Sequence, residues 1–247
     1  MVSVTASFVL RIAIAFSSAL LQTGQTAGPE QIKQRPTASP TPATSSAPAS
    51  DDKIHRPTSE PYTGSLSIFE DPKRAEKLQI DRVMDILGVR EGSAVADIGA
   101  GSGWFTVRAA RRVGQPGTVY AVEINADYLK HITNRAQKES LSNIHPLLGK
   151  EDDPLLPGAS VDAILLLKTY HEFSKPISML RAMRKALRKD GRLGIIDRNG
   201  AGDDHGVKRE AVIKEAARAG FALVEEHDFV KADTMDYFLV FRKANGR

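Results

Sequence analysis

The hydrophobic pattern of this chain changes character twice. Apolar residues first gather in one short block, Ile12 to Leu21 (IAIAFSSALL). They nearly vanish over residues 36–50, which read PTASPTPATSSAPAS. From about Asp71 they return in short runs and in helical spacings. Leu78, Ile80, Val83, Met84 and Leu87 recur at helix-like intervals and predict a helix over 74–87. The block 94–98 (AVADI) is short, apolar and closed by glycines, which predicts a buried strand. A helix follows over 102–113 and a strand over 118–124 (TVYAVEI). Residues 126–139 place Tyr128, Leu129, Ile132 and Ala136 on one helical face. A weak strand over 143–148 precedes a strong one over 161–167 (VDAILLL). The helix predicted over 176–188 carries Pro176 at its start, where a missing N–H is tolerated. A strand over 192–197 leads to a helix over 207–219 that Gly220 stops. Two strands, 221–229 and 236–242, close the chain.

Alternating strands and helices predict an α/β fold: a doubly wound, mostly parallel sheet with helices on both faces. The last two strands are joined by Lys231–Thr234, too short for a helical crossover, so that pair should be antiparallel.

Composition narrows the function classes. Among 247 residues, 41% are apolar and 26% charged, which suits a globular domain with a sizeable core. No apolar run reaches the roughly 18–20 residues of a clear membrane span. Cysteine is absent, which removes disulfides, zinc–thiolate sites, thiol nucleophiles and Cys-linked lipids. The formal charge of +4 is spread thinly: residues 1–50 hold only Arg11, Glu30, Lys33 and Arg35. The remainder is close to balanced and carries no strong nucleic-acid signal.

Three segments are expected. Residues 1–27 resemble a signal peptide or N-terminal anchor, with a short apolar core and a weak positive flank at Arg11. On that reading the protein is exported to the periplasm or tethered to a membrane through its N-terminus, in preference to remaining cytoplasmic. Residues 28–64 hold seven of the 13 prolines and read as a disordered linker. The folded domain is then 65–247.

The chemistry concentrates at strand ends. Val95 to Gly103 reads VADIGAGSG: a buried strand, then Gly99, Gly101 and Gly103, then a helix. Glycines allow a tight turn and a close backbone approach to a ligand, although the same spacing could be a tight turn with no ligand. A dinucleotide fingerprint would place a third glycine at 104, where Trp104 stands, which argues against a nicotinamide-dependent oxidoreductase. Glu123 closes the second strand, and in a doubly wound sheet a carboxylate there can accept from ribose hydroxyls.

With these motifs the chain resembles the class I S-adenosylmethionine-dependent methyltransferases. The runs VADIGAGSGWFT (95–106), VYAVEI (119–124), LLGKEDDPLLPGASVDAILLLKTYHEF (147–173) and MDYFLVFR (235–242) carry the resemblance, over about 66–247. It implies a seven-stranded sheet of order 3-2-1-4-5-7-6 with the last strand antiparallel, and S-adenosyl-L-methionine as cofactor. It also implies roles for particular residues. Asp97 faces the methionine amine, Gly99, Ala100, Gly101 and Gly103 pass beneath the cofactor, and Glu123 holds the ribose. Relatives often carry an Asp after strand three for the adenine; Lys150 stands there, so Glu151 or Asp152, or the backbone, takes the contact, with Glu151 favoured.

Tyr170, His171 and Glu172 follow strand four, at the sheet edge where ligands bind. His171 is the first choice for a general base, with Tyr170 and Glu172 behind it; the bland reading has His171 shaping the pocket. His205 reads as a surface-loop residue. Arg181, Arg184, Lys185, Arg188 and Lys189 read as a solvated helix face. Trp104 reads as a packed lid. The implied reaction is methyl transfer to an O or N atom of a small molecule, without a metal. A catalytically silent cofactor-binding module is the main alternative, and the oligomeric state is left open.

Overall fold

The computed structural model describes Ile54, Arg56 and residues 61–200, 205–230 and 234–245. The segment read as a signal peptide and most of the expected linker lie outside the described residues.

Seven strands form one sheet in the order β3-β2-β1-β4-β5-β7-β6. They are β1 (Ala94–Ile98), β2 (Thr118–Glu123), β3 (Ile144–Leu148), β4 (Val161–Leu167), β5 (Leu187–Arg198), β6 (Phe221–His227) and β7 (Asp236–Lys243). The pairs from β3 across to β5 are parallel. β7 runs antiparallel to both β5 and β6, as the short link before it requires.

The side-chain period of two splits β1 and β4 between two cores. Val95, Ala163, Leu165 and Leu167 face one layer, with α2 (Ile80–Leu87), α3 (Trp104–Val113) and α4 (Ala126–Lys138). Ala94, Ala96, Ile98, Ile164 and Leu166 face the other, with α5 (Pro176–Ala186) and α6 (Arg209–Arg218). Burial on both faces is why these strands read as continuous apolar runs rather than alternating ones. Among the described residues no helix is long and apolar enough to cross a membrane.

Three expectations change. The helix predicted over 74–87 is two helices, α1 (Arg74–Leu78) and α2, broken at Gln79, whose φ is +46°. The left-handed residue resets the helical phase, so that Leu78 and Ile80 are both buried. α5 stops at Ala186, and β5 begins at Leu187 rather than 192, because Leu187 pairs with Val161 ahead of an irregularity in the ladder. The third change is the boundary between linker and domain. Pro61 and Tyr62, expected in a disordered linker, line a cleft of the domain, and Ile54 and Arg56 bond to it. The Ile54 N–H donates to the Ser174 carbonyl at 2.9 Å. Arg56 is buried, pairs with Glu215 at 2.5 Å and donates to the Phe173 carbonyl. A salt bridge to a partner 159 positions away leaves no local trace in composition.

Candidate active site

The carboxyl ends of β1, β2 and β4 frame a cleft of about 1000 Å³, counting its open mouth. The turn after β1 supplies Gly99, Ala100 and Gly101, with Asp97 just before it. Glu123 and Ile124 enter from β2, Lys150 and Glu151 from the loop after β3, and Lys168, Thr169 and Glu172 from the end of β4. A chain segment ahead of α1 closes one side with Pro61, Tyr62 and Phe69, and Arg74 follows them into the lining.

The glycines of the turn divide by job. All three have positive φ, between 54° and 74°. A Cβ on Gly99 would stand 2.2 Å from Thr169 Cγ2, and one on Gly103 would stand 3.2 Å from Ile132. Those two positions are therefore held to glycine by neighbouring side chains. The nearest atoms to a Cβ on Gly101 are those of the Phe69 ring, at 3.4 Å or more, also in the cleft lining. Gly101 is thus the position where a ligand can lie directly on the backbone.

Glu123 is buried and already busy. Its Oε2 accepts from the Gly101 N–H at 3.0 Å, and its Oε1 accepts from Ile124 and Asn125 N–H groups. A carboxylate has about four acceptor positions, so Oε2 keeps one for a hydroxyl. Asp97 is also buried and accepts from the Thr106 hydroxyl at 2.6 Å. Burial pushes its carboxyl up to about 6, against the Thr106 hydrogen bond and the Arg74 charge. Arg74 lies over the Trp104 ring at 4.6 Å and donates to the Phe69 carbonyl; burial brings its guanidinium down to about 10. Trp104 carries Arg108 on its ring as well, at 3.8 Å, so it is a packed lining residue, as its sequence context suggests.

The acids after β3 separate. Glu151 lines the cleft, whereas Asp152 is held by Lys175 at 2.9 Å and is not among the lining residues. The same happens in the short 3-10 turn Tyr170–Glu172, where three successive residues point three ways. Tyr170 is fully buried and its hydroxyl donates to Glu215 at 2.6 Å. Burial, with Glu215 beside it, holds that phenol well above its ordinary range. This corrects the expectation for Tyr170: it belongs to the core, not to the cleft. His171 is buried, with Nδ1 at 2.9 Å from Asp197 Oδ1. Its backbone N–H donates to the same carboxylate. Burial pushes the imidazole down, but the Asp197 carboxylate outweighs it and the net shift is upward. Only Glu172 of the three lines the cleft, and burial raises its carboxyl to about 7.

The sequence reading did not single out Asp197, Arg74, Tyr62 or Phe69. Asp197 had a signal: it ends an apolar strand (RLGIID), as Asp97 ends VAD and Glu123 ends AVE. His205 is exposed and its ring lies 6.0 Å from that of His171. Within the group read as a solvated basic face, Arg184 bonds the Gly220 carbonyl and Arg188 pairs with Asp162.

A mostly parallel sheet with this strand order and a glycine turn after β1 define the class I methyltransferase fold, and here an acid, Glu123, ends β2. A family model described as "Methyltransferase domain" matches residues 95–191. Nocamycin O-methyltransferase from Saccharothrix syringae is 29% identical over 114 residues, covering 46% of this chain and 41% of that protein. A ubiquinone/menaquinone biosynthesis C-methyltransferase UbiE from Hahella chejuensis is 30% identical over 115 residues, 46% of each. The chain thus spans less than half the length of these curated relatives. Among solved structures, a SAM-dependent methyltransferase from Aquifex aeolicus superposes with a TM-score of 0.65 at 24% identity, covering 71% of this chain and 95% of that one. The [4+2]-cyclase SpnF matches with a TM-score of 0.60 at 16% identity, covering 78% and 88%. The chain thus has the class I methyltransferase fold, and its residues 95–191 are similar to a methyltransferase domain. The residues of the cleft fit S-adenosyl-L-methionine: the open Gly101 backbone, a buried carboxylate at Asp97 and a spare acceptor position on Glu123.

Proposed function

We propose that this protein transfers a methyl group from S-adenosyl-L-methionine to an O or N atom of a small-molecule acceptor. The observation that carries the reading is the cleft itself, which Gly101, Asp97, Glu123 and Glu172 line together. Asp97 would hold the ammonium of the cofactor, Glu123 a ribose hydroxyl and Glu151 the adenine edge. Bound there, the cofactor supplies a methyl group already activated on a sulfonium. The protein then contributes mainly alignment, which can account for much of the barrier. Pro61, Tyr62 and Phe69 cover one side of the cleft, which favours a small acceptor over a macromolecule. Glu172, whose carboxyl titrates near neutrality, is the lining group able to take a proton from the acceptor.

A cofactor-binding module without turnover is the second reading, because likeness of fold alone does not fix chemistry. Calorimetry with S-adenosylhomocysteine, followed by methyl-group transfer from radiolabelled cofactor to a panel of small phenols, carboxylates and amines, separates the two. Binding with transfer supports the first reading and binding without transfer to any acceptor supports the second. Absence of binding removes both.

A further inference from the structure

Arg74 lines the same cleft as Asp97 and is half-buried. Among the described residues its guanidinium has one hydrogen-bond acceptor, the neutral Phe69 carbonyl at 2.8 Å. It lies over the Trp104 ring at 4.6 Å and the Phe69 ring at 5.6 Å, so its plane is held by aromatic faces rather than by a counter-charge. The acids that act on its charge are Asp97, Glu70 and Asp71. Each already has another partner: Asp97 the Thr106 hydroxyl, Glu70 the Arg135 guanidinium and Ser102 hydroxyl, and Asp71 the Lys77 ammonium. Burial lowers the Arg74 guanidinium to about 10, which still leaves it a cation at neutral pH. A charge held partly away from water is costly until an opposite charge meets it. A guanidinium fork meets a carboxylate best, through two parallel N–H bonds.

Arg74 and Asp97 thus bring opposite charges to one cleft without a hydrogen bond between them. Such a pair suits a ligand end that carries both charges, and the amino-acid end of S-adenosyl-L-methionine does: an ammonium and a carboxylate on one carbon. We propose that Arg74 binds the carboxylate of that end while Asp97 binds its ammonium, so that the cleft selects adenosyl ligands with the amino-acid end intact. This rests on the cofactor reading above and adds to it a residue and a selectivity. Trp104 is then a positioning residue, which keeps the Arg74 fork in the cleft lining.

The test is calorimetry on the full chain with three probes. S-adenosylhomocysteine carries the ammonium and the carboxylate, its decarboxylated analogue the ammonium alone, and 5′-methylthioadenosine neither. Loss of the carboxylate should cost the wild type about 10- to 100-fold in affinity, the range for hydrogen bonds to a charged group. Arg74→Met should weaken S-adenosylhomocysteine by a similar factor and leave the decarboxylated analogue no weaker. Arg74→Lys keeps the charge without the fork and should recover only part of the loss. Asp97→Asn should weaken both amine-bearing probes and spare 5′-methylthioadenosine. Equal wild-type affinity for the first two probes overturns the assignment. So does an Arg74→Met loss shared equally by both, which would make Arg74 a support for the Phe69 turn. Should Arg74→Met fail to fold, Arg74→Lys decides, since its loss must be confined to S-adenosylhomocysteine. A wild type that binds none of the three would instead remove the cofactor reading, and the Arg74 assignment with it.

Discussion

Replacing Arg56 with Ala should destabilise the domain far more than its place in a Pro- and Ser-rich stretch suggests. The guanidinium pairs with Glu215 at 2.5 Å, and both side chains are 9% exposed. It also donates to the Phe173 carbonyl and lies 5.6 Å from the Tyr170 ring centroid. Deleting one member of a buried pair strands the other, at a cost of about 3–5 kcal/mol. Glu215 keeps the Tyr170 hydroxyl as a donor, so the lower end of that range applies. For a domain of roughly 150–250 residues, each kcal/mol moves Tm by about 2–4 °C. Arg56→Ala should therefore lower Tm by about 6–12 °C in a thermal melt near pH 7. Adding Glu215→Gln, which removes the stranded charge but keeps the Tyr170 contact, should recover part of the loss. A chain starting at Ser65 should melt at least as low as Arg56→Ala. It should also bind S-adenosylhomocysteine more weakly, since it lacks Pro61 and Tyr62 from the cleft. A fall below about 2 °C for Arg56→Ala would refute the reasoning and return the domain boundary to residue 65.

Gly101→Val should abolish S-adenosylhomocysteine binding in calorimetry, because it fills the one open position of the turn, whereas Gly103→Ala should lower Tm through strain at φ +74° and contact with Ile132. Glu123→Gln should weaken binding by roughly 10- to 100-fold, about 1.4–2.8 kcal/mol, the range for a hydrogen bond to a charged group; unchanged affinity would remove the ribose assignment. Asp97 has a folded pKa of about 6 against an ordinary 3.8. Raised in the folded state, it favours folding below pH 3.8 and progressively loses that contribution up to about pH 6. Asp97→Asn should accordingly raise the Tm of the ligand-free protein at pH 7–8 while weakening cofactor binding. A Tm lowered throughout pH 5–8 would show that the carboxylate is needed for packing.

The sheet order and the meeting of the glycine turn with Glu123 in one cleft were legible because they rest on local patterns: apolar runs two-faced in burial, and glycines or acids at strand ends. The residues after β4 were not. Tyr170, His171 and Glu172 are adjacent, and a single turn of 3-10 helix sends one to α6, one to Asp197 and one to the cleft. Three residues carry no periodicity from which to read that division. Gln79 hid a helix break because Leu78 and Ile80 both fit a continuous apolar stripe. Arg56 was illegible for the opposite reason: its meaning lies in partners far along the chain, Glu215 on α6 and the Phe173 carbonyl among them.

The two margins of the sheet carry a further consequence, for the behaviour of the protein at high concentration. An open edge invites a second chain to add a strand. On β3 the margin contains Pro146, which has no N–H to offer a newcomer. On β6 the ladder slips between Leu223 and Glu225, and Glu225 and Glu226 are engaged by Arg192 and Arg209. Leu223 and Val224 stay exposed there, but the slip and the ion pairs interrupt the straight, uncharged template that edge-to-edge growth needs. Removing those guards, by Pro146→Val on one margin or Glu226→Val on the other, would turn a self-limiting sheet into one that can be extended.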